Sequence, residues 1–218
     1  MLFRARFALT EHMIAVTNEN HQSRKCPSRA EAKRRLRRLV LARRSAAAEG
    51  STSTAGQRIA AVGHELLKDH DKSVISGYWP MRHEIDCRSL LAGLHQVGWQ
   101  VGLPCIEEHN APLVFRRWSP GAPLVKGVFE TSEPHPDAAV LMPEVLLMPL
   151  VAFDRDGFRL GYGGGYYDRT IARLAGGGSI TTIGLAFDEQ EVVIVPRETH
   201  DQRLDWVLTP SGARTTRT

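Results

Sequence analysis

Hydrophobic positions in the first third of the chain recur at helical spacing. Ser28 followed three residues later by Glu31 fits a capping box, so a helix is expected to start there. Ala32, Leu36, Leu39 and Val40 then gather on one stripe at about 100° per residue. On that wheel Lys33 and Arg37 share one flank of the stripe, while Arg34 and Arg38 turn toward solvent. A second helix is expected over 54–67, with Ile59, Val62, Leu66 and Leu67 inward despite Gly63. The period then changes. Residues 73–79 read as a strand, 86–97 as an amphipathic helix and 99–103 as a strand that Pro104 ends, a βαβ unit.

Further along, 113–118 reads as a less buried strand and the Pro- and Gly-rich stretch 119–136 as a surface excursion. The apolar run 145–151 suits a strand covered on both faces. A helix over 166–174, ended by Gly176 to Gly178, and strands over 180–187 and 204–208 complete the alternation. This predicts an α/β fold: a single three-layer domain over 29–209, with a mainly parallel central sheet flanked by helices. Residues 1–28 are expected to be a poorly ordered extension and 210–218 a tail.

Charge changes the picture in one place. Residues 1–44 hold 12 of the 28 Lys+Arg and 3 of the 24 Asp+Glu, a net of +9 against −5 over the remainder. A basic N-terminal segment on an acidic body argues against a nucleic-acid-binding module and for a protein without a nucleic-acid partner. Residues 1–8 are basic and acid-free, which suits an organelle-targeting peptide less well than a plain extension with Met13 as a rival start. No apolar run reaches the roughly 18 to 20 residues of a membrane span. Cys26, Cys87 and Cys105, an odd number without CxxC spacing, suit a reduced, cytoplasmic setting.

The segment most informative about chemistry runs from Phe153 to Arg169, F-D-R-D-G-F-R-L-G-Y-G-G-G-Y-Y-D-R, between a buried strand and a helix. Glycines at 161, 163, 164 and 165 let successive amides converge, and the next helix adds its positive end, a geometry suited to phosphate oxygens. The dinucleotide fingerprint would need glycine at Tyr166, and a Walker A loop would need Gly-Lys-Ser/Thr; neither is present. A glycine-rich structural turn remains the plain alternative.

The sequence R-L-G-Y-G-G-G-Y-Y-D-R after P-x-x-x-F-D resembles the signature of the 5-formyltetrahydrofolate cyclo-ligase family, also called methenyltetrahydrofolate synthetases. Two further segments match it in order, K-R-R-L-R from Lys33 and Y-W-P-M-R-H-E-I-D from Tyr78. The resemblance implies an ATP- and magnesium-dependent conversion of 5-formyltetrahydrofolate to 5,10-methenyltetrahydrofolate. It implies an ATP site of Lys33, Arg34, Arg35, Leu36 and Arg37 with Arg159, Leu160, Gly161, Tyr162, Gly163, Gly164, Gly165, Tyr166 and Tyr167. Folate would meet Trp79, Met81 and Glu84, with Tyr162, Gly163, Gly164, Gly165 and Tyr166 shared by both ligands. Asp168 and Asp205 would hold Mg2+. Some relatives carry lysine where this chain has Gly164. No protein nucleophile is required, and the enzyme is expected to act as a monomer.

Taken alone, Lys33 and Arg37 read as a solvated basic face, and Asp168 and Asp205 as a first-turn helix acid and a strand-start charge. A sugar-phosphate isomerase or acyl transferase using the glycine loop is the competing enzyme class, but it lacks an evident acid–base pair. His83 adjoins Glu84 on what reads as extended chain, so the two side chains are expected to point apart. His109, His135 and His200 show no metal-ligand spacing.

Overall fold

A computed structural model describes residues 28–71 and 73–216. The proposed extension over 1–27 lies outside the described residues. Ser28 forms the expected capping box, its Oγ accepting from the Glu31 amide at 3.2 Å while Glu31 Oε2 accepts from the Ser28 amide at 2.8 Å. From there α1 runs without interruption over Arg29–Leu67, 39 residues, where two helices were expected. At about 1.5 Å per residue it is about 58 Å long. The intervening 46–48 is a run of alanines and no proline occurs in the helix, so the roughly 1 kcal/mol weakness of Gly50 is outweighed by packing on either side of it. Its buried positions include Val40, Arg44, Ala48, Ile59 and Leu67, whereas Leu39, expected inward, is half exposed.

The strands are β1 (Val74–Ser76), β2 (Gln100–Cys105), β3 (Val114–Arg117), β4 (Leu124–Lys126), β5 (Ser132–Pro134), β6 (Val140–Leu141), β7 (Val145–Pro149), β8 (Ala152–Phe153), β9 (Arg159–Leu160), β10 (Thr181–Leu185), β11 (Trp206–Thr209) and β12 (Gly212–Thr215). The helices α2 (Arg88–Gln96) and α3 (Tyr166–Ala175) complete the main elements. One eight-stranded sheet has the order β12-β11-β10-β7-β1-β2-β3-β6, with β11, β10, β7, β1 and β2 parallel and antiparallel pairings toward both edges. Pro104 lies inside β2 rather than ending it. Gly102 offers its carbonyl to Gly77, so residue 104, two further on, also faces the β1 side, where β1 has already stopped at Ser76. The missing N–H therefore has no partner to lose.

Period-two alternation distributes β7 between two cores. Val145 and Leu147 pack with residues of α1 and α2, while Leu146 and Met148 pack with Ile171 and Leu174 of α3. This is the continuous apolar strand legible in the sequence, sandwiched between helical layers. Gly63 permits the close packing of α1 on α2, because a Cβ there would stand 2.6 Å from a Leu90 methyl. Three differences from expectation concern irregular regions. The surface excursion contains the β4–β5 hairpin, the apolar strand is followed by a small β8–β9 hairpin, and residues 212–215, expected in a tail, pair with β11 as an edge strand.

Candidate active site

The strand order reverses between β1 and β7. From β1 the chain crosses through α2 to β2 on one side, and from β7 through α3 to β10 on the other. In open parallel sheets the carboxyl ends of the two strands at such a reversal diverge and leave a crevice. Here the segment from Gly77 to Glu84 leaves β1, and Leu150, the β8–β9 hairpin and the glycine loop follow β7. The tertiary structure thus brings the Tyr78–Asp86 motif and the Arg159–Tyr167 motif to one place.

On the β1 side, Tyr78 is buried with its hydroxyl on the Ile85 carbonyl at 2.8 Å, and accordingly serves the core. Trp79 meets Trp118 edge to face at 5.9 Å and carries Arg88 over its ring. Glu84 closes a tight turn, its Oε2 accepting from the Met81 amide at 2.9 Å and its own amide donating to the Met81 carbonyl. Glu84 is 6% exposed, and its Oε1 has no hydrogen-bond partner among the described residues. Burial raises its pKa, opposed by the Met81 amide, the nearby Arg44 charge and the Tyr162 hydroxyl. A buried carboxylate with one bare oxygen is an acceptor awaiting a donor. Neighbouring His83 is exposed.

On the β7 side, the glycine loop is pinned by arginines. Arg37 Nε donates to the Gly161 carbonyl at 2.8 Å and Arg169 to the Gly164 carbonyl at 2.6 Å. Gly163 and Gly165 have φ of 106° and 65°, values that side-chain-bearing residues adopt only under strain. The N-terminus of α3 follows directly, with Gly165 as its cap. Lys33 and Arg37 are half buried and Arg34 and Arg38 exposed, the partition expected from the wheel, and Arg35 is exposed as well. Lys33 is held by Asp201 at 2.7 Å and Glu198 at 2.8 Å. Burial alone would lower the Lys33 pKa, but those two acids carry it above its ordinary value. Leu36 packs with the small core around Val151 and Leu160. Tyr166 stacks beneath Arg169, and burial drives the Tyr167 phenol well up.

Two of the expected site residues are held by contacts within the protein. Arg159 is engaged by Asp168 at 2.8 Å and the Gln202 carbonyl at 2.6 Å, so it braces the loop from beneath. Asp205, expected beside Asp168, instead sits in the sheet: its Oδ2 accepts from the Thr182 amide at 2.8 Å and hydroxyl at 2.9 Å, tying β11 to β10. Asp201 shares with Asp168 the field on Arg159. The next residue, Gln202, donates its amide to Asp168 Oδ1 at 3.1 Å. Asp168 Oδ2 has no partner among the described residues and Asp201 Oδ1 only the distant edge of His200. Sequence reasoning also missed Arg44 and Arg169. Arg44 lies seven residues beyond Arg37, nearly on its face, so spacing alone could have singled it out.

A switch-point crevice with cations and amides on one wall and a bare carboxylate on the other is laid out for an anionic and a donor-bearing ligand together. This is an α/β ligase acting on folate in one-carbon metabolism. Residues 29–210 match the model of the 5-formyltetrahydrofolate cyclo-ligase family, and the chain belongs to that family. It is 38% identical over 133 residues to the 5-formyltetrahydrofolate cyclo-ligase of Escherichia coli (strain K12), covering 59% of this chain and 72% of that one. The Haemophilus influenzae enzyme of the same name is 32% identical over 148 residues, 66% and 79% of the two chains. The NMR structure of Aquifex aeolicus 5,10-methenyltetrahydrofolate synthetase superposes with a TM-score of 0.66 at 28% identity, covering 85% of this chain and 93% of that one. Family membership implies cyclo-ligase activity with use of ATP. Among the described residues no helix is long and apolar enough to cross a membrane.

Proposed function

We propose that the chain converts 5-formyltetrahydrofolate to 5,10-methenyltetrahydrofolate with release of ADP and phosphate. The observation carrying this reading is that one glycine loop adjoins both the cationic face of α1, through Arg37, and the carboxylate pocket after β1, through Tyr162. A loop so placed can hold the phosphoryl donor against a folate whose pterin donates to Glu84 Oε1. A formamide is a poor electrophile because the N5 lone pair is delocalised into it. Phosphoryl transfer to the formyl oxygen gives an iminium phosphate, N10 attacks its carbon and closes the ring, and expulsion of phosphate with loss of the N10 proton to water or to that phosphate leaves the methenyl bridge. The work left to the protein is positioning and charge stabilisation.

Within that reading Lys33, Arg37, the loop amides and the α3 N-terminus hold phosphates, while Trp79 and Met81 line the apolar part of the folate pocket. Lys33 must exchange Asp201 and Glu198 for the nucleotide. Magnesium favours few protein oxygens with water and phosphate, which the free Oδ2 of Asp168, with the nearby Asp201, fits better than Asp205, whose Oδ2 is taken by Thr182. When bound there it offsets charge on the transferring group. The test is absorbance of the methenyl product on mixing protein, magnesium-ATP and 5-formyltetrahydrofolate. Product is expected only with ATP and a divalent cation both present, at one ADP per turnover. Full-rate product without ATP refutes the mechanism.

A further inference from the structure

Arg44 is 2% exposed, although arginine is almost never fully buried without a partner. Its NH2 donates to the Tyr162 hydroxyl at 2.6 Å and its NH1 reaches the Leu150 carbonyl at 3.5 Å, directly at the end of β7. Its Nε has no partner among the described residues, and no carboxylate there lies within 4 Å of the guanidinium. Glu84, itself buried, feels the charge of Arg44. Tyr162 stands between them and interacts with both. A buried cation and a buried anion, neither held in a salt bridge and both touching the phenol of Tyr162, are each costly alone and compensate one another.

We propose that Arg44 is a positioning residue for the cyclo-ligase reaction, joining the glycine loop to the folate-side carboxylate through Tyr162 and balancing the buried charge of Glu84. The inference rests on the reading of Glu84 as the folate contact. The guanidinium fork suits the task because two of its arms fix the phenol and the Leu150 carbonyl while its charge acts across the crevice. Without it, burial favours the protonated form of Glu84, and an acid carrying its own proton accepts poorly from a pterin. The other groups facing Glu84 are Arg82 from its own turn, Tyr78 and Cys87 from the β1–α2 segment, Tyr162 from the loop and Tyr167 from α3. Arg82 is exposed, so its charge is screened by solvent. Arg44 is the buried cation of the set.

The experiment measures KM for 5-formyltetrahydrofolate and for ATP between pH 6 and 9 in the wild type, Arg44→Met, Arg44→Lys, Glu84→Gln and the Arg44→Met/Glu84→Gln double variant, with Tm for each. Arg44→Met is expected to raise the folate KM about tenfold at the acid end of this range, with the penalty shrinking toward pH 9 as Glu84 ionises. ATP KM should stay within about twofold, and Arg44→Lys should restore a flat pH profile. The double variant should bind folate no worse than Glu84→Gln alone, because both changes act on one interaction. A pH-independent penalty that adds to that of Glu84→Gln, or an equal rise in ATP KM, overturns the proposal. If Glu84→Gln weakens folate and Arg44→Met does not, the role of Arg44 alone fails; if Glu84→Gln changes nothing, the reading of Glu84 fails with it. Should Arg44→Met not fold, Tyr162→Phe reads the same link, and an unchanged folate KM there overturns the proposal.

Discussion

Asp205 and Asp201 make opposite predictions under substitution, although they lie four residues apart. Asp205 Oδ2 accepts two hydrogen bonds from Thr182, and Asp205→Ala would strand the Thr182 amide at the β10–β11 seam. Hydrogen bonds to a charged acceptor contribute about 1.5 to 3 kcal/mol each. Partial exposure puts the pair toward the lower end, about 2 to 4 kcal/mol in total. For a domain of this size that corresponds to a fall in Tm of roughly 4 to 16 °C. The residual folded enzyme should keep its magnesium requirement. Asp201→Asn removes one of the two acids on Lys33 but can still accept from the Glu198 amide, so its Tm should move by no more than about 4 °C. It should instead raise the magnesium concentration for half-maximal rate by about tenfold, the loss of one charged ligand contact. The assay is methenyl absorbance across a magnesium titration, with thermal unfolding in parallel. An Asp205→Ala enzyme with unchanged Tm and a raised magnesium requirement, beside an unaffected Asp201→Asn, would refute the reassignment.

Gly163→Ala places a Cβ at φ 106° and 3.4 Å from the Arg37 guanidinium, a strain of about 1 to 3 kcal/mol, and should raise ATP KM about tenfold; an unchanged KM argues against a fixed loop. Glu84 binds its proton more tightly folded than unfolded, so its contribution to stability falls as pH rises from the ordinary carboxylate range through the raised value and is level above it. Glu84→Gln should therefore raise Tm at pH 8 relative to wild type, with the advantage vanishing in acid, while weakening folate binding; an equal Tm difference at both pH values counts against a perturbed carboxyl. Deleting residues 1–27, which precede the family match, should leave kcat unchanged, whereas deletion through residue 44 should abolish ATP binding.

The elements that carry chemistry were legible in the sequence because they depend on local rules. Ser28 and Glu31 are close enough along the chain to satisfy one another, and the apolar run at 145–151 announces a strand covered on both faces. The glycines at 161–165 reveal a loop that side chains would block, and the Lys33–Arg37 spacing places both cations on one face of a helix. The alternation of strands and helices determined the fold class. Periodicity could not join the two halves of α1, because among the described residues of the linking segment only the small Ala47 and Ala48 meet the core, and they carry little amphipathic signal. Nor could it find the edge strand β12, whose pairing with β11 satisfies backbone groups with little help from side-chain pattern.

What only the tertiary structure decided was the pairing of distant residues. The reversal of strand order at β1 and β7 depends on which strands become neighbours, and this places Glu84 opposite the glycine loop. The same folding sets the Gln202 amide on Asp168, ties Asp205 to Thr182, buries Arg44 beneath Tyr162, and commits Arg159 to Asp168 instead of to solvent. Residue type supplies a charge, but whether that charge meets a ligand, a strand or another charge depends on contacts more than 20 residues away in the chain. Burial then fixes its energetic meaning, because the same carboxylate that is inexpensive in water is costly in the interior until a donor reaches it.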